Sequence, residues 1–379
     1  MYQRLLQLAD IVSQKSHFLL GPRQTGKSSL CRASFPNSKY IDLLEADTFR
    51  TLNARPELLR LSLKQSDKLI VIDEIQKCIP LLDEVQLLID RDKSLRFLLT
   101  GSSARKLKRG AANLLPGRVW TQNFHPLVFP ENQADSIQLR MAYGGLPGVI
   151  SSENPAAELK NYIGSYLKEE IQAEGLTRNI GNFARFLEIA GDSNCEQMNY
   201  STISNQSGIP LKTIRDYFQI LQDTNIANLL PVFQKKSVRK PVSTPKCYFF
   251  DVGVANALRK NLALQTSTVE LGKRLEHLIY CELIAYKDYV LPDTEITYWR
   301  TQDKLEVDFI LNDKVAIEVK NSEKVGKSDI KGMRALQQEF PNMKYLVVCN
   351  TLLNYVEDGI EYMSVQKFLE DLWGGVILS

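Results

Sequence analysis

Short, uninterrupted apolar runs recur along the first third of the chain: Phe18-Leu19-Leu20, Leu69-Ile70-Val71-Ile72 and Leu95 through Leu99. Runs of this length without polar alternation predict strands buried on both faces of a parallel sheet. Candidate strands fall at 17–20, 39–43, 69–72, 95–99 and 118–124, alternating with helical patterns after an opening helix around Tyr2 to Ser13. The pattern predicts a doubly wound α/β unit. Gly144 through Gly148 punctuate the chain, and a helical stretch from Ala156 to Ala190 follows, its apolar positions including Tyr162, Tyr166, Ile171, Phe183, Phe186 and Leu187. From Asn199 two short helical patterns adjoin across Gly208-Ile209-Pro210. Near the C-terminus the β-rich runs Thr297-Tyr298-Trp299, Val307 to Leu311 and Val315 to Lys320 predict strands, the last two joined by an Asn312-Asp313 hairpin turn.

The first apolar run leads into Gly21-Pro22-Arg23-Gln24-Thr25-Gly26-Lys27-Ser28, with Ser29 opening the next helix. This G-x-x-x-x-G-K-[ST] spacing after a strand predicts a phosphate cradle: glycines permit close backbone approach, and the helix N-terminus directs N–H groups at an anion. Lys27 would reach the β- and γ-phosphates and Ser28 would hold Mg²⁺ of a bound ATP. Asp73 and Glu74 end the second run, where ligands of open α/β sheets bind. Asp73 is expected in the Mg²⁺ shell, and Glu74 as the group that polarises the attacking water.

Thr100-Gly101-Ser102-Ser103 ends the third run, so Thr100 could sense the γ-phosphate, although the same residues make ordinary loops. The basic stretch Arg105 to Arg109 and Gly117-Arg118 offer an arginine to the γ-phosphate, in cis or from a neighbouring subunit. Arg118 is the first candidate and Arg105 the second; solvated surface arginines are the alternative for both.

Tyr200 to Pro210, a short helix and a turn, and a second helix from Leu211 to Leu221, with Lys212, Thr213 and Arg215 near its start, have helix-turn-helix geometry. Leu229 to Phe233, followed by Lys235, Lys236, Arg239 and Lys240, could form a basic wing on DNA phosphates. A hairpin used for packing or subunit contact reads equally from the same residues. In the last third, Asp308 and Glu318 fall on neighbouring strands, with Lys320 on the face of Glu318, and Glu276 lies in a helical stretch from Gly272 to Tyr286. Such carboxylates can hold Mg²⁺ beside a water-orienting lysine, and a salt-bridged sheet face fits the same spacing.

The chain has 47 basic and 44 acidic residues, so net charge argues neither for nucleic acid nor for a membrane, and local clusters must carry such claims. Its 379 residues predict two or three domains. The six cysteines lack C-x-x-C spacing and the three histidines lie far apart, which argues against a disulfide framework or zinc site. No apolar run approaches a membrane span and Met1-Tyr2-Gln3-Arg4 does not open a secretory signal, so a reduced, cytoplasmic protein is expected.

Gly21 to Ser28, Asp73-Glu74, Thr100 to Ser103 and Gly117-Arg118 resemble the core of AAA-type ATPases. Phe249 to Val254, Gly272 to Glu276, Trp299-Arg300 and Glu306 through Lys320 are similar to the C-terminal region DUF4143. The resemblance spans nearly the whole chain. It implies an ASCE-type P-loop sheet (1–132), a helical lid or connector (133–195), a winged helix-turn-helix (196–262) and a C-terminal domain of restriction-endonuclease type (263–379). Asp308, Glu318 and Lys320 match the PD-(D/E)XK pattern and Glu276 its helical acid, with Val307 where the motif has proline. The implied activity is Mg²⁺-dependent ATP hydrolysis coupled to DNA binding, with DNA cleavage as a second activity. The alternative is a nucleotide-dependent switch or scaffold, acting through protein partners or as a homo-oligomer, whose nuclease-like domain is inactive.

Overall fold

The computed structural model describes residues 2–102, 115–167, 180–235, 239 and 241–378, without the side chains of 165–167 and 180. The chain divides into two compact units, Met1–Leu127 with Gln219–Ile226, and Val128–Phe218 with Ala227–Ser379.

In the first unit, β1 (Ser16–Leu20), β2 (Lys39–Asp42), β3 (Leu69–Asp73), β4 (Arg96–Gly101) and β5 (Val119–Asn123) form a 5-stranded sheet in the order β2-β3-β4-β1-β5. Every pairing is parallel. Strand β4 lies between β1 and β3, so the loop after β1 and the acids ending β3 flank the carboxyl end of β4. Helices α1 (Leu8–Gln14), α2 (Lys27–Ser34), α3 (Ala46–Ala54) and α4 (Leu81–Arg91) connect or flank the strands. β1 is buried along its whole length, as its unbroken apolar run predicts. The first helix starts at Leu8 instead of Tyr2. Arg4 accounts for the difference: it is buried and uses its guanidinium to bind the carbonyls of Thr25 (2.7 Å) and His125 (2.7 Å), which an extended backbone allows.

The second unit begins with α5 (Ile137–Tyr143) and continues through α6 (Ile180–Gly191), α7 (Tyr200–Ser207) and α8 (Leu211–Asp223), the last of which runs into the segment belonging to the first unit. Between α5 and α6, the helical stretch read from the sequence is described only as Pro155–Asn161 and a π-helical turn, Tyr162–Leu167. Ile171 lies outside the described residues, as does the side chain of Tyr166. Phe183 and Phe186 pack edge-on against Tyr217 and Phe218, which fixes α6 against α8. A 3-stranded antiparallel sheet, β6-β8-β7, follows from Glu196–Gln197 (β6), Ala227–Leu230 (β7) and Lys246–Phe249 (β8).

After α9 (Val252–Leu258) and the 22-residue α10 (Thr268–Tyr289), the chain builds a 6-stranded sheet in the order β13-β14-β12-β11-β10-β9. The strands are β9 (Ile296–Arg300), β10 (Glu306–Leu311), β11 (Val315–Lys320), β12 (Lys344–Cys349), β13 (Tyr355–Glu357) and β14 (Ile360–Ser364). β11, β12 and β14 are parallel, and β9-β10-β11 is an antiparallel meander. Asn312 and Asp313 both adopt left-handed backbone angles, and Lys314 N–H closes their turn on the Leu311 carbonyl at 2.9 Å. α11 (Lys331–Glu339) and α12 (Val365–Trp373) complete the unit. Its core holds a buried charge cluster: Glu282 of α10 accepts from Phe129 N–H (3.0 Å), Trp373 Nε1 (2.7 Å) and Arg140. Among the described residues no helix is long and apolar enough to cross a membrane.

Candidate functional sites

The loop after β1 builds the first site. Gly21 passes against the end of β5 so closely that a Cβ there would lie 2.2 Å from the Phe124 carbonyl oxygen. Gln24 and Gly26 take left-handed angles, which turn the loop back before α2 begins at Lys27. Lys27 is buried, and its ammonium curls over the loop to donate to the carbonyls of Gly21 (2.6 Å) and Pro22 (2.8 Å). Ser28 is half-buried in the first helical turn and Ser29 is exposed. A glycine-walled loop, a helix N-terminus and an ammonium held above them fit a nucleotide phosphate group.

Asp73 sits at the carboxyl end of β3, almost fully buried, and accepts hydroxyl hydrogens from Tyr40 (2.5 Å) and Thr100. Thr100 Oγ1 in turn accepts from the backbone N–H of Glu74 at 3.2 Å, so the hydroxyl ties the ends of β3 and β4 together. Glu74 is held at a φ of 59°, unusual for a residue with a side chain. Gln76 holds its carboxylate from Nε2 at 2.5 Å and also donates to Ser102 Oγ at 3.3 Å. The structure therefore brings Lys27, Asp73, Glu74 and Thr100 to one edge of the sheet. Sequence reading missed Arg4, Tyr40 and Gln76; only Gln76, two residues past Glu74, carried a local signal.

Arg118, the first candidate for an arginine at the γ-phosphate, lies away from the cradle of its own chain. Ser16 pairs with Val119, so Arg118 precedes β5 at the edge of the sheet where β1 begins, the opposite edge from the loop after Leu20. Its guanidinium clamps Asp90 at 2.8 and 2.9 Å. Within one chain it does not face the cradle. Arg105 and Ser103 lie outside the described residues.

The second site lies in the C-terminal unit. Phe309 pairs with Ile317, which sets Asp308 opposite Glu318, and Val319 N–H donates to Asp308 Oδ2 at 2.8 Å. Lys320 Nζ pairs with Glu318 Oε1 at 2.5 Å, as side-chain alternation along β11 requires. Glu276 projects from α10 and accepts from Tyr248 Oη at 2.6 Å. Asp308, Glu318, Lys320 and Glu276 are thus brought together as their spacing suggests.

The centre of that cluster is Lys246, which sequence reading missed. Its ammonium lies 2.5 Å from Glu306, 3.0 Å from Glu276 and 3.7 Å from Asp308. Lys246 and Tyr248 alternate onto one face of β8, and nothing near them in sequence signals an acid 30 residues away. Burial pulls the lysine's pKa down, but Glu276, Asp308 and Glu306 outweigh it and push it well above the ordinary value. Burial raises the Glu276 carboxyl to about 7 against the pull of Lys246. Burial, with Asp308 beside it, raises Glu318 to about 8. Burial also opposes the charge on Glu306, yet Lys246 and Arg300 hold that carboxyl below its usual value.

A divalent ion does not fit this arrangement. Mg²⁺ needs near-octahedral oxygen ligands at ~2.1 Å, and the ammonium stands among the carboxylates that would supply them. Among the described residues no group of His, Cys, Asp and Glu side chains is arranged to hold a metal ion. Glu276, Asp308 and Glu318, the acids expected to hold Mg²⁺, are here engaged by Lys246 and Tyr248, by Lys246 and the Val319 N–H, and by Lys320 respectively.

Helices α7 and α8 meet at Gly208, whose left-handed backbone ends α7. Lys212 and Arg215 are exposed on α8 and Thr213 is half-buried. The described residues of the segment after β7 are tied to a neighbouring strand and to acids. Phe233 N–H bonds the Tyr298 carbonyl (2.7 Å), adding the segment to the β9 edge of the 6-stranded sheet. Lys235 pairs with Asp313 (2.6 Å) and Arg239 with Glu339 (2.6 Å), while Lys236 and Lys240 lie outside the described residues.

Residues 13–132 match an AAA domain, residues 134–266 a domain of unknown function (DUF8612) and residues 271–368 a domain of unknown function (DUF4143). The chain is 24% identical over 347 residues to the uncharacterized protein MJ1544 of Methanocaldococcus jannaschii, covering 82% of this chain and 74% of that protein. A solved structure of Drosophila ORC bound to AT-rich DNA and Cdc6 aligns with 66% of this chain and 88% of its own, at 9% identity and a TM-score of 0.19. The chain therefore carries an N-terminal AAA-type P-loop ATPase domain and a C-terminal DUF4143 domain.

Proposed function

We propose that the protein is a Mg²⁺-dependent ATPase whose hydrolytic cycle controls DNA binding by its helix-turn-helix segment. The observation that carries this reading is the convergence of Lys27, Asp73, Glu74 and Thr100 at one sheet edge. In it, Gly21 to Ser29 cradle the phosphates, Lys27 contacts the β- and γ-phosphates, and Ser28 holds Mg²⁺ with Asp73 in the surrounding shell. Glu74, steered by Gln76, polarises the attacking water, and Thr100 couples the two strand ends. DNA contact by the helix-turn-helix falls to Lys212, Thr213 and Arg215 at the start of α8.

The switch reading, in which nucleotide state is relayed to protein partners, draws support from the ion pairs that occupy Lys235 and Arg239. The two separate in one experiment: fluorescence anisotropy of duplex DNA with the full chain in ADP and in a non-hydrolysable ATP analogue. DNA control predicts at least a tenfold difference between nucleotide states, weakened in Lys212→Ala/Arg215→Ala and with a log–log salt dependence. Equal affinity in both states, unchanged by that double substitution, would overturn it.

A further inference from the structure

The C-terminal cluster has the acids of a metal-dependent phosphodiesterase but a lysine at its centre. Lys246 is 2% exposed, its Nζ in contact with Glu276 and Glu306 and within 3.7 Å of Asp308. The Tyr298 ring lies 5.5 Å from it, which adds an electron-rich surface behind the charge. Glu276 is also fixed by Tyr248 and Glu306 by Arg300. Each contact holds a monovalent cation in the space that carboxylates of this kind would otherwise close around a divalent one.

We infer that Lys246 is the resident cation of this site, replacing the metal ion and leaving the nuclease-like domain unable to bind one. A buried ammonium with carboxylate partners on β10 and α10 is held there by the same desolvation that would penalise any one of those acids left alone. A second cation could enter only by displacing it, because like charges cannot share these oxygens at such distances. The inference is independent of the ATPase reading, since it concerns residues of the other unit alone.

The test is Mn²⁺ binding to the nucleotide-free full chain, followed by electron paramagnetic resonance and calorimetry. Wild type is expected to show no stoichiometric site that depends on Asp308. Lys246→Met should gain one Mn²⁺ per chain, at least tenfold tighter than any wild-type binding, and Lys246→Met/Asp308→Asn should lose it again. Lys246→Arg, which keeps the positive charge, should remain without the ion. Stoichiometric Mn²⁺ binding by wild type that disappears in Asp308→Asn overturns the inference, and so does a folded Lys246→Met that takes up no ion. If circular dichroism shows Lys246→Met unfolded, the comparison of wild type with Asp308→Asn decides alone.

Discussion

Replacing Gly21 with alanine tests whether the phosphate loop owes its shape to the strand beside it. The added Cβ would lie 2.2 Å from Phe124 O and 3.1 Å from Phe124 C, where ordinary contacts begin at 3.4 Å. Both atoms are backbone, so no side chain can rotate away. The end of β5 and the loop must separate by more than an ångström, which strains the Phe124 N–H bond to Leu20 O (2.7 Å) and the Gly21 N–H bond to Gly101 O (3.2 Å). Overpacking of this kind costs ~1–3 kcal/mol. Weakening two backbone bonds adds ~1 kcal/mol each at most, giving ~1–5 kcal/mol against the first unit. Urea unfolding followed by tryptophan fluorescence reads it, with Trp120 of β5 reporting locally, and binding of a fluorescent ATP analogue should weaken at least tenfold. Gly148→Ala is the control: no atom lies within 4 Å of a Cβ there, so its stability should change by less than ~1 kcal/mol. Wild-type stability and nucleotide affinity in Gly21→Ala would refute the argument.

Arg118→Ala should leave ATP turnover within about twofold of wild type and cost at most ~1 kcal/mol, because it removes a surface pair with Asp90 and one long hydrogen bond to the Pro116 carbonyl; a hundredfold loss that grows with protein concentration would instead assign it to a neighbour's site. Arg140→Met should destabilise the second unit by ~3–5 kcal/mol in urea, since it strips the guanidinium from fully buried Glu282, and a change under 1 kcal/mol would contradict this. His277 donates from Nε2 to Phe249 O (2.7 Å), leaving Nδ1 to accept from Asn194 Nδ2 (3.0 Å), and burial pushes the imidazole down to about 4. Its folded-state pKa lies below the unfolded value, so the stability it supports is present above about pH 6.5 and is lost as pH falls toward 4, by ~3 kcal/mol at ~1.4 kcal/mol per pH unit. Carbon-13 NMR should show His277 neutral at pH 5.5, and a protonated ring there would contradict the assignment.

The phosphate loop was legible because its chemistry is local: Gly21 to Ser28 are contiguous, and the apolar run before them announces the strand. The hairpin holding Asp308 and Glu318 was legible for the same reason, since Asn312-Asp313 specifies the turn and alternation specifies the face. Lys246 was not, because its partners Glu276 and Glu306 meet it only once β8, α10 and β10 are assembled, and a lone lysine has no periodic signature. The place of Arg118 was not legible from composition. Gly117-Arg118 reads as a loop arginine, but strand direction alone decides which edge of a parallel sheet it occupies. The pairings of Lys235 with Asp313 and of Arg239 with Glu339 were hidden for a similar reason, because those acids lie in distant sequence. Arg4, at the start of the chain, reaches Thr25 and His125 only through tertiary packing.

Single-turnover ATP hydrolysis by wild type and Glu74→Gln in Mg²⁺ tests most directly whether Glu74 activates the attacking water. The variant keeps the shape and the hydrogen-bonding distance to Gln76 but loses the carboxylate charge. The prediction is wild-type ATP affinity within about threefold and a fall in the hydrolysis rate on the order of 10²–10⁴-fold, the usual worth of a general base. Equal hydrolysis rates in the two proteins, or no hydrolysis by wild type with or without DNA, would contradict it.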